Sequence, residues 1–334
     1  MKDKDNISKQ LAAYSIRQNL DRQRVVDLYI REGIIDRFSH SLLNQKYVLK
    51  GASAFQAITQ KPHRPTKDVD FLGFGNNNEK FLREEFSEII KVPVDDGIVF
   101  DDISSSILQK GGKYQGVRLD LKGKFADAPI KGQVDIGFGS VIYPEAVEGK
   151  FPTLLGRQAP KIRHYPKETI CAEKFEAVTS LGLRNSRLKD FYDLLYLARN
   201  FEFDGTKLSK ALAATFRQRG TILPQDNPVG LTEQFVTYKK EREKLWKDFY
   251  SSGTMKRRPK LNSAIAEISN FVMPVSQAAA TKTPFSRVWQ PDSGWQVSPE
   301  FSFKDYQIDE SSSPRAEQSQ IEQSTKQSDL NYER

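Results

Sequence analysis

With 334 residues, the chain is long enough for two domains and a substantial core. Its net charge of +8 is uneven: residues 275–334 carry six Lys/Arg against nine Asp/Glu, which leaves +11 on residues 1–274 and favours an anionic partner such as nucleotide or nucleic acid. A single cysteine and three scattered histidines exclude a disulfide framework and a Cys- or His-rich metal site, and no run approaches eighteen apolar residues. The start, "MKDKDNISKQ", has no apolar signal-peptide core, so a soluble, reducing, cytoplasmic setting is expected, with no membrane contact.

In chain order, residues 6 to about 43 carry apolar groups at helical spacing and predict two helices. "YVLKG" (47–51) predicts a short strand running straight into the helix "ASAFQAIT". "KDVDFLGF" (67–74) is the next strand and "NEKFLREEFSEIIK" (78–91) an amphipathic helix. Strands follow at 97–101, 114–125 and 130–139, the last two as an antiparallel pair. From Pro166 the pattern turns helical, with a first helix between Pro166 and Gly182 and further helices in 186–201, 206–220, 231–250 and 261–275. The expected fold class is α+β: a small mixed sheet with flanking helices, then a helical C-terminal domain and a disordered tail. The expected divisions are 1–45 (N-terminal helices), 46–152 (core), 153–274 (helical domain completing a cleft) and 275–334 (tail). The tail is rich in Ser, Gln and charge; a short partner-binding element around Phe285, Trp289, Trp295 and Phe301 is the alternative to disorder there.

The chemistry-bearing residues begin with Asp68 and Asp70. On a strand they leave the same face while Val69 and Phe71 point into the core. Two such carboxylates repel unless a cation sits between them, and Mg²⁺ takes one or two protein carboxylates together with substrate phosphates. An acidic surface turn is the other reading of the same tripeptide. Upstream, Gly51, Ala52 and Ser53 open a helix whose N–H groups and dipole suit phosphate, though Ser53 can equally be an ordinary N-cap. Two residues compete as third carboxylate. Asp135 lies in an apolar strand where an unpaired aspartate is costly; Asp120 lies among Arg118, Lys122 and Lys124, where salt bridges explain it. Lys174 rises from the apolar face of its helix, either snorkelling or aimed into a cleft. Asp190 and Asp193 stand one turn apart beside Arg187 and Lys189, as an ion-pair cluster would.

Together "LKGASAF", "RPTKDVDF", "VDIGFG", "ETICAEKFEAV" and "NSRLKDFYDL" resemble the AbiEii/AbiGii-type nucleotidyltransferase toxins of bacterial toxin–antitoxin and phage-defence systems, over about residues 40–220. The resemblance implies a polymerase-beta-like nucleotidyltransferase core at 46–152, an NTP substrate and Mg²⁺ or Mn²⁺. It implies a metal pair at Asp68 and Asp70 with Asp135 as third carboxylate. Phosphate would bind at Gly51, Ala52 and Ser53, and Lys174 and Asp190 would stand in the active site. Arg64 joins Lys174 as a candidate for neutralising the nucleotide's charge. A tRNA 3′ end or other RNA as acceptor and a cognate antitoxin as partner are also implied. Rival expectations are a small-molecule nucleotidyltransferase and a non-catalytic nucleotide- or RNA-binding module. The chain departs from the family pattern in Ala52, where a second glycine is commoner, and in Ser140, where relatives often have Asp.

Overall fold

Strand alternation decides which face of the sheet receives the chemistry. The computed structural model describes residues 4–62, 64–108, 115–239, 241–251, 255 and 258–297. Two helices, α1 (Lys4–Gln18) and α2 (Arg22–Ser39), lead into β1 (Tyr47–Lys50), α3 (Gly51–Thr59), β2 (Asp68–Gly73) and α4 (Glu79–Ile89). Asp21 and Asn78 cap α2 and α4 by accepting backbone N–H groups of Arg24 and Phe81. Next come β3 (Ile98–Leu108), β4 (Gly116–Phe125), β5 (Ala128–Gly137), β6 (Val147–Lys150) and β7 (Lys161–His164). These strands form one mixed sheet in the order β3-β4-β5-β2-β1-β7-β6. The antiparallel pairing of β4 with β5 is as expected, while β2 and β5 run parallel. β3 is longer than its apolar run because it pairs with β4 from Ile98 to Leu108.

One face of the sheet packs under the N-terminal helices. Phe38, Tyr47, Leu49, Val69, Phe71, Phe86, Val134 and Ile136 are all buried there. The alternate positions, Val48 and Leu72, belong to a second apolar core shared with the C-terminal helices. Those are α5 (Lys167–Leu181), α6 (Leu188–Asn200), α7 (Gly205–Arg219), α8 (Glu233–Thr237), α9 (Arg242–Ser251) and α10 (Leu261–Thr281), with β8 (Phe203–Asp204) between α6 and α7. Pro166 and Gly182 flank α5 as their chemistry demands. Among the described residues, no helix is long and apolar enough to cross a membrane.

Three expectations need correction. The span 152–166 contains β7, which pairs in parallel with β1 through Leu49 and His164, so the sheet continues past the expected end of the core. The single helix expected over 231–250 is two, α8 and α9, and the Arg242 guanidinium at the start of α9 folds back onto the carbonyl of Phe235 and stacks on its ring. The tail does not start at 275. α10 runs through Pro274 to Thr281, and β9 (Arg287–Gln290) and β10 (Gly294–Val297) complete a second, three-stranded sheet with β8. Neither disorder nor the alternative of a partner-binding element holds for Phe285, Trp289 and Trp295, which pack into this chain's own core. Trp289 donates to the Ala198 carbonyl at 2.7 Å and Trp295 to the Phe271 carbonyl at 2.9 Å, while Phe285 packs edge-on against Trp295. Phe301 and residues 298–334 lie outside the described residues.

Candidate active site

Register across four strands builds the centre of the site. Arg118 on β4 stands opposite Asp135 on β5, Asp135 beside Asp70 on β2, and Asp70 opposite Lys50 on β1. The row therefore reads cation, carboxylate, carboxylate, cation. Asp68 lies two residues from Asp70 on the same face, in the next row with Gln133 and Asp120. Carboxylate oxygens of Asp68, Asp70 and Asp135 all lie within 4.8 Å of one another, which is a spacing one divalent ion can span. Asp120 is exposed and outside that cluster, so of the two candidates Asp135 is the one brought to the pair.

Asp135 is not the unpaired group its apolar strand suggested. Arg118 grips it with two bonds of 2.8 and 2.7 Å, and this, rather than a bridge to Asp120, is where Arg118 goes. Asp68 accepts from the Thr66 hydroxyl. Burial pushes the Asp68 carboxyl up, but that hydrogen bond and the charges of Lys189 and Arg64 outweigh it and hold it below its ordinary range. Asp70 has no hydrogen bond or ion pair among the described residues. Burial, then the neighbouring Asp68 and Asp135 charges, push it up to about 6. An acidic cluster with one unsatisfied member is the donor set a hard cation such as Mg²⁺ fits, and Arg118, 35% exposed, has solvent to move into.

Beside the cluster, β1 delivers the chain into α3. Gly51 sits at φ +61°, and a Cβ there would lie 2.1 Å from Asp70 Oδ2, so only glycine lets the turn approach the carboxylate. The N-cap residue of α3 is Lys50, which makes no side-chain cap bond. Ser53 does not cap it either: its hydroxyl is buried without a hydrogen-bond partner. The N-cap reading of Ser53 is thus overturned, and the first-turn N–H groups of α3 carry no side-chain cap.

A cleft of about 210 Å³ opens here, lined among others by Lys50, Gly51, Asp70, Glu173, Lys174 and Lys189. Lys174 reaches it rather than snorkelling to the surface, and donates to Asp190 at 2.8 Å and pairs with Asp193 at 3.1 Å. Burial alone would lower the Lys174 ammonium, but Asp190 and Asp193 outweigh it and push it above the usual lysine range. Arg64 grips Asp193 with bonds of 2.8 and 3.0 Å, so this arginine is already neutralised. The ion-pair cluster expected from the sequence forms with other cations, Lys174 and Arg64 in place of Arg187 and Lys189. Both aspartates turn inward, and Arg187 and Lys189 stand exposed at the cleft with no side-chain ion pair among the described residues. Arg64→Met should unfold at lower denaturant, by about 3 kcal/mol in an equilibrium titration, because it strands a fully buried carboxylate with one cation fewer.

Four charged groups escaped the sequence reading. Lys50 stands 3.7 Å from Glu173, whose carboxyl burial would raise but Lys50 and Arg219 hold down at about 2. Arg219 bridges Glu173 at 3.1 Å and Glu176 at 2.7 Å. Arg31 on α2 is buried, donates to Gln56 at 3.0 Å and leaves two guanidinium nitrogens unpartnered. Its charge is felt at Asp68 and Asp70. Arginine and glutamate at these positions looked like ordinary amphipathic helix faces; only the apolar neighbours of Arg31, "LYIREGII", signalled burial.

No curated protein sequence matches the chain. Among solved structures, JHP933 from Helicobacter pylori aligns at 16% identity and a TM-score of 0.43, covering 79% of this chain and 94% of that one. A second H. pylori chain, named as a candidate nucleotidyltransferase, aligns at 16% identity and a TM-score of 0.41, over 79% and 97%. The family model "Nucleotidyl transferase AbiEii toxin, Type IV TA system" matches residues 33–270, which span the sheet, the acidic row and the cleft helices. The chain is a member of that AbiEii nucleotidyltransferase toxin family.

Proposed function

We propose that this nucleotidyltransferase moves a nucleoside monophosphate from an NTP to an acceptor hydroxyl, that the acceptor is a tRNA 3′ end, and that Asp68, Asp70 and Asp135 hold the Mg²⁺ (or Mn²⁺) the reaction needs. The observation that carries the reading is the unpartnered Asp70 carboxylate in a three-carboxylate cluster, abutted by the uncapped start of α3. Bound there, the ion neutralises phosphate charge and favours ionisation of the acceptor hydroxyl.

The chain's own residues do the rest. The backbone N–H groups of Gly51, Ala52 and Ser53 and the free Ser53 hydroxyl bind phosphate oxygens. Lys174 has three donors; Asp190 and Asp193 take two, and the third is left for a phosphate oxygen. Lys174 and Arg64 together balance Asp190 and Asp193, so the surplus positive charge for a triphosphate comes from Arg187 and Lys189. Pyrophosphate leaves on that side as the hydroxyl attacks the α-phosphorus in line. Asp190 acts by fixing the Lys174 ammonium at the cleft wall.

The basic body, +11 over residues 1–274, and the Lys/Arg-rich stretches 207–219 and 239–258 support an RNA acceptor over a small molecule, which would need no such surface. As a type IV toxin relative, the protein would arrest translation by blocking tRNA and be silenced by a cognate antitoxin, as in phage defence. The test is incubation with each labelled NTP, Mg²⁺ and total tRNA, followed by mapping of the label. Label at the tRNA 3′ end together with growth arrest on expression supports the proposal. Label on a small-molecule acceptor only, with normal growth, overturns the RNA and toxin readings. Ser53→Ala should keep its melting temperature within about 2 °C, since its hydroxyl has no bond to lose, while KM for the NTP rises about tenfold.

A further inference from the structure

Lys50 is the cross-strand partner of Asp70, in the same row and on the same face. Its ammonium extends into the cleft, 3.7 Å from Glu173 and over the Tyr165 ring at 5.8 Å. It passes close to Gly137, two residues beyond Asp135, where a Cβ would lie 3.4 Å from Lys50 Nζ. The side chain is 20% exposed, so the charge is poorly screened by water.

The two ends of the row differ in a way that matters. Arg118 engages both oxygens of Asp135, whereas Lys50 makes no direct contact with Asp70 and is anchored by Glu173 instead. An ammonium held near a carboxylate but bonded to another lowers the field of the first without filling its ligand sites.

We infer that Lys50 is the resident counter-cation of Asp70: it stabilises the acidic row before a divalent ion arrives, competes with that ion for the row's field, and then faces the nucleotide's phosphates with Glu173 as its anchor. The inference rests on Asp68, Asp70 and Asp135 being a metal site. Glu173 in this account is a positioning residue, which keeps the ammonium from closing onto Asp70 and shutting the site.

The test is Mn²⁺ binding to the nucleotide-free protein, with free Mn²⁺ followed by electron paramagnetic resonance. Lys50→Met and Lys50→Gln should each bind Mn²⁺ about tenfold tighter than wild type, because a repelling unit charge has gone. Both should also raise KM for the NTP, while Lys50→Arg stays near wild type in Mn²⁺ affinity. Glu173→Gln should bind Mn²⁺ more weakly, since the released ammonium moves onto Asp70. If Lys50 merely ties β1 to α5 through Glu173, Lys50→Gln and Glu173→Gln lose equal stability with unchanged Mn²⁺ affinity, and the inference is overturned. Asp70→Asn separates the two levels. If Asp70→Asn abolishes Mn²⁺ binding while Lys50→Gln leaves it unchanged, only the role of Lys50 fails. If Asp70→Asn binds Mn²⁺ as wild type does, the metal site fails and takes this inference with it.

Discussion

Asp70→Asn should abolish nucleotidyl transfer, by at least about a thousandfold, and at the same time make the metal-free protein more stable. A thousandfold corresponds to about 4 kcal/mol of transition-state stabilisation. The opposite sign on stability follows from the electrostatics of the row. Asp70 is pushed up to about 6 by burial and by Asp68 and Asp135, so its charged form is worse off in the folded chain than in the unfolded one. Wild type therefore loses stability as pH rises from the ordinary aspartate range near 4 through about 6, and Asp70→Asn does not. The stability gap between the two should be absent below pH 4, open between 4 and 6, and level off above at about 3 kcal/mol. Thermal unfolding of both proteins in EDTA across that pH range measures it. Saturating Mg²⁺ should stabilise wild type and reverse the order, because only wild type keeps the complete carboxylate set.

Gly51→Ala should be the most damaging single methyl group that can be added near the cleft. The residue sits at φ +61°, which costs an L-residue about 1–2 kcal/mol, and the new Cβ would lie 2.1 Å from Asp70 Oδ2. Either β1 and β2 move apart or the Asp70 carboxylate rotates out of the row, and both dismantle the carboxylate set. The expectation is a loss of about 2–4 kcal/mol in a denaturant titration and activity reduced at least a hundredfold, even below the melting temperature. Ala52→Gly, one position on, is the contrasting variant. It removes a methyl group rather than adding one, leaves the backbone N–H groups of the turn in place, and should leave kcat within about threefold.

The part of the site carried by local pattern was legible before any coordinates. A period of two puts Asp68 and Asp70 on one face whatever the sheet does next. An aspartate between Val134 and Ile136 announces a group that must be compensated. What local pattern does not encode is register between strands distant in sequence. The pairing of Lys50 with Asp70 and of Arg118 with Asp135 depends on how β1, β2, β4 and β5 assemble, so both flanking cations were missed or misassigned. Asp190 and Asp193 are ion-paired as expected, but their partners escaped for a related reason. Neighbours on a helix surface suggested Arg187 and Lys189 as partners, yet α6 turns its aspartates toward α5 and Arg64. Composition misled at the C-terminal end as well. Polar residues around 276–297 dilute a few aromatics that, packed as Phe271, Phe285, Trp289 and Trp295, are enough to hold a hairpin.

The central claim is that this acidic row drives transfer of the α-phosphoryl nucleotide unit. The most direct measurement supplies NTPs labelled at the α- or the γ-phosphate with Mg²⁺ and acceptor RNA, and follows label on RNA together with pyrophosphate. The predicted result is α-label on the acceptor, no γ-label, one pyrophosphate per transfer, and neither product with EDTA or with folded Asp70→Asn. Transfer of γ-label, or α-label transfer by Asp70→Asn at the wild-type rate, would contradict it.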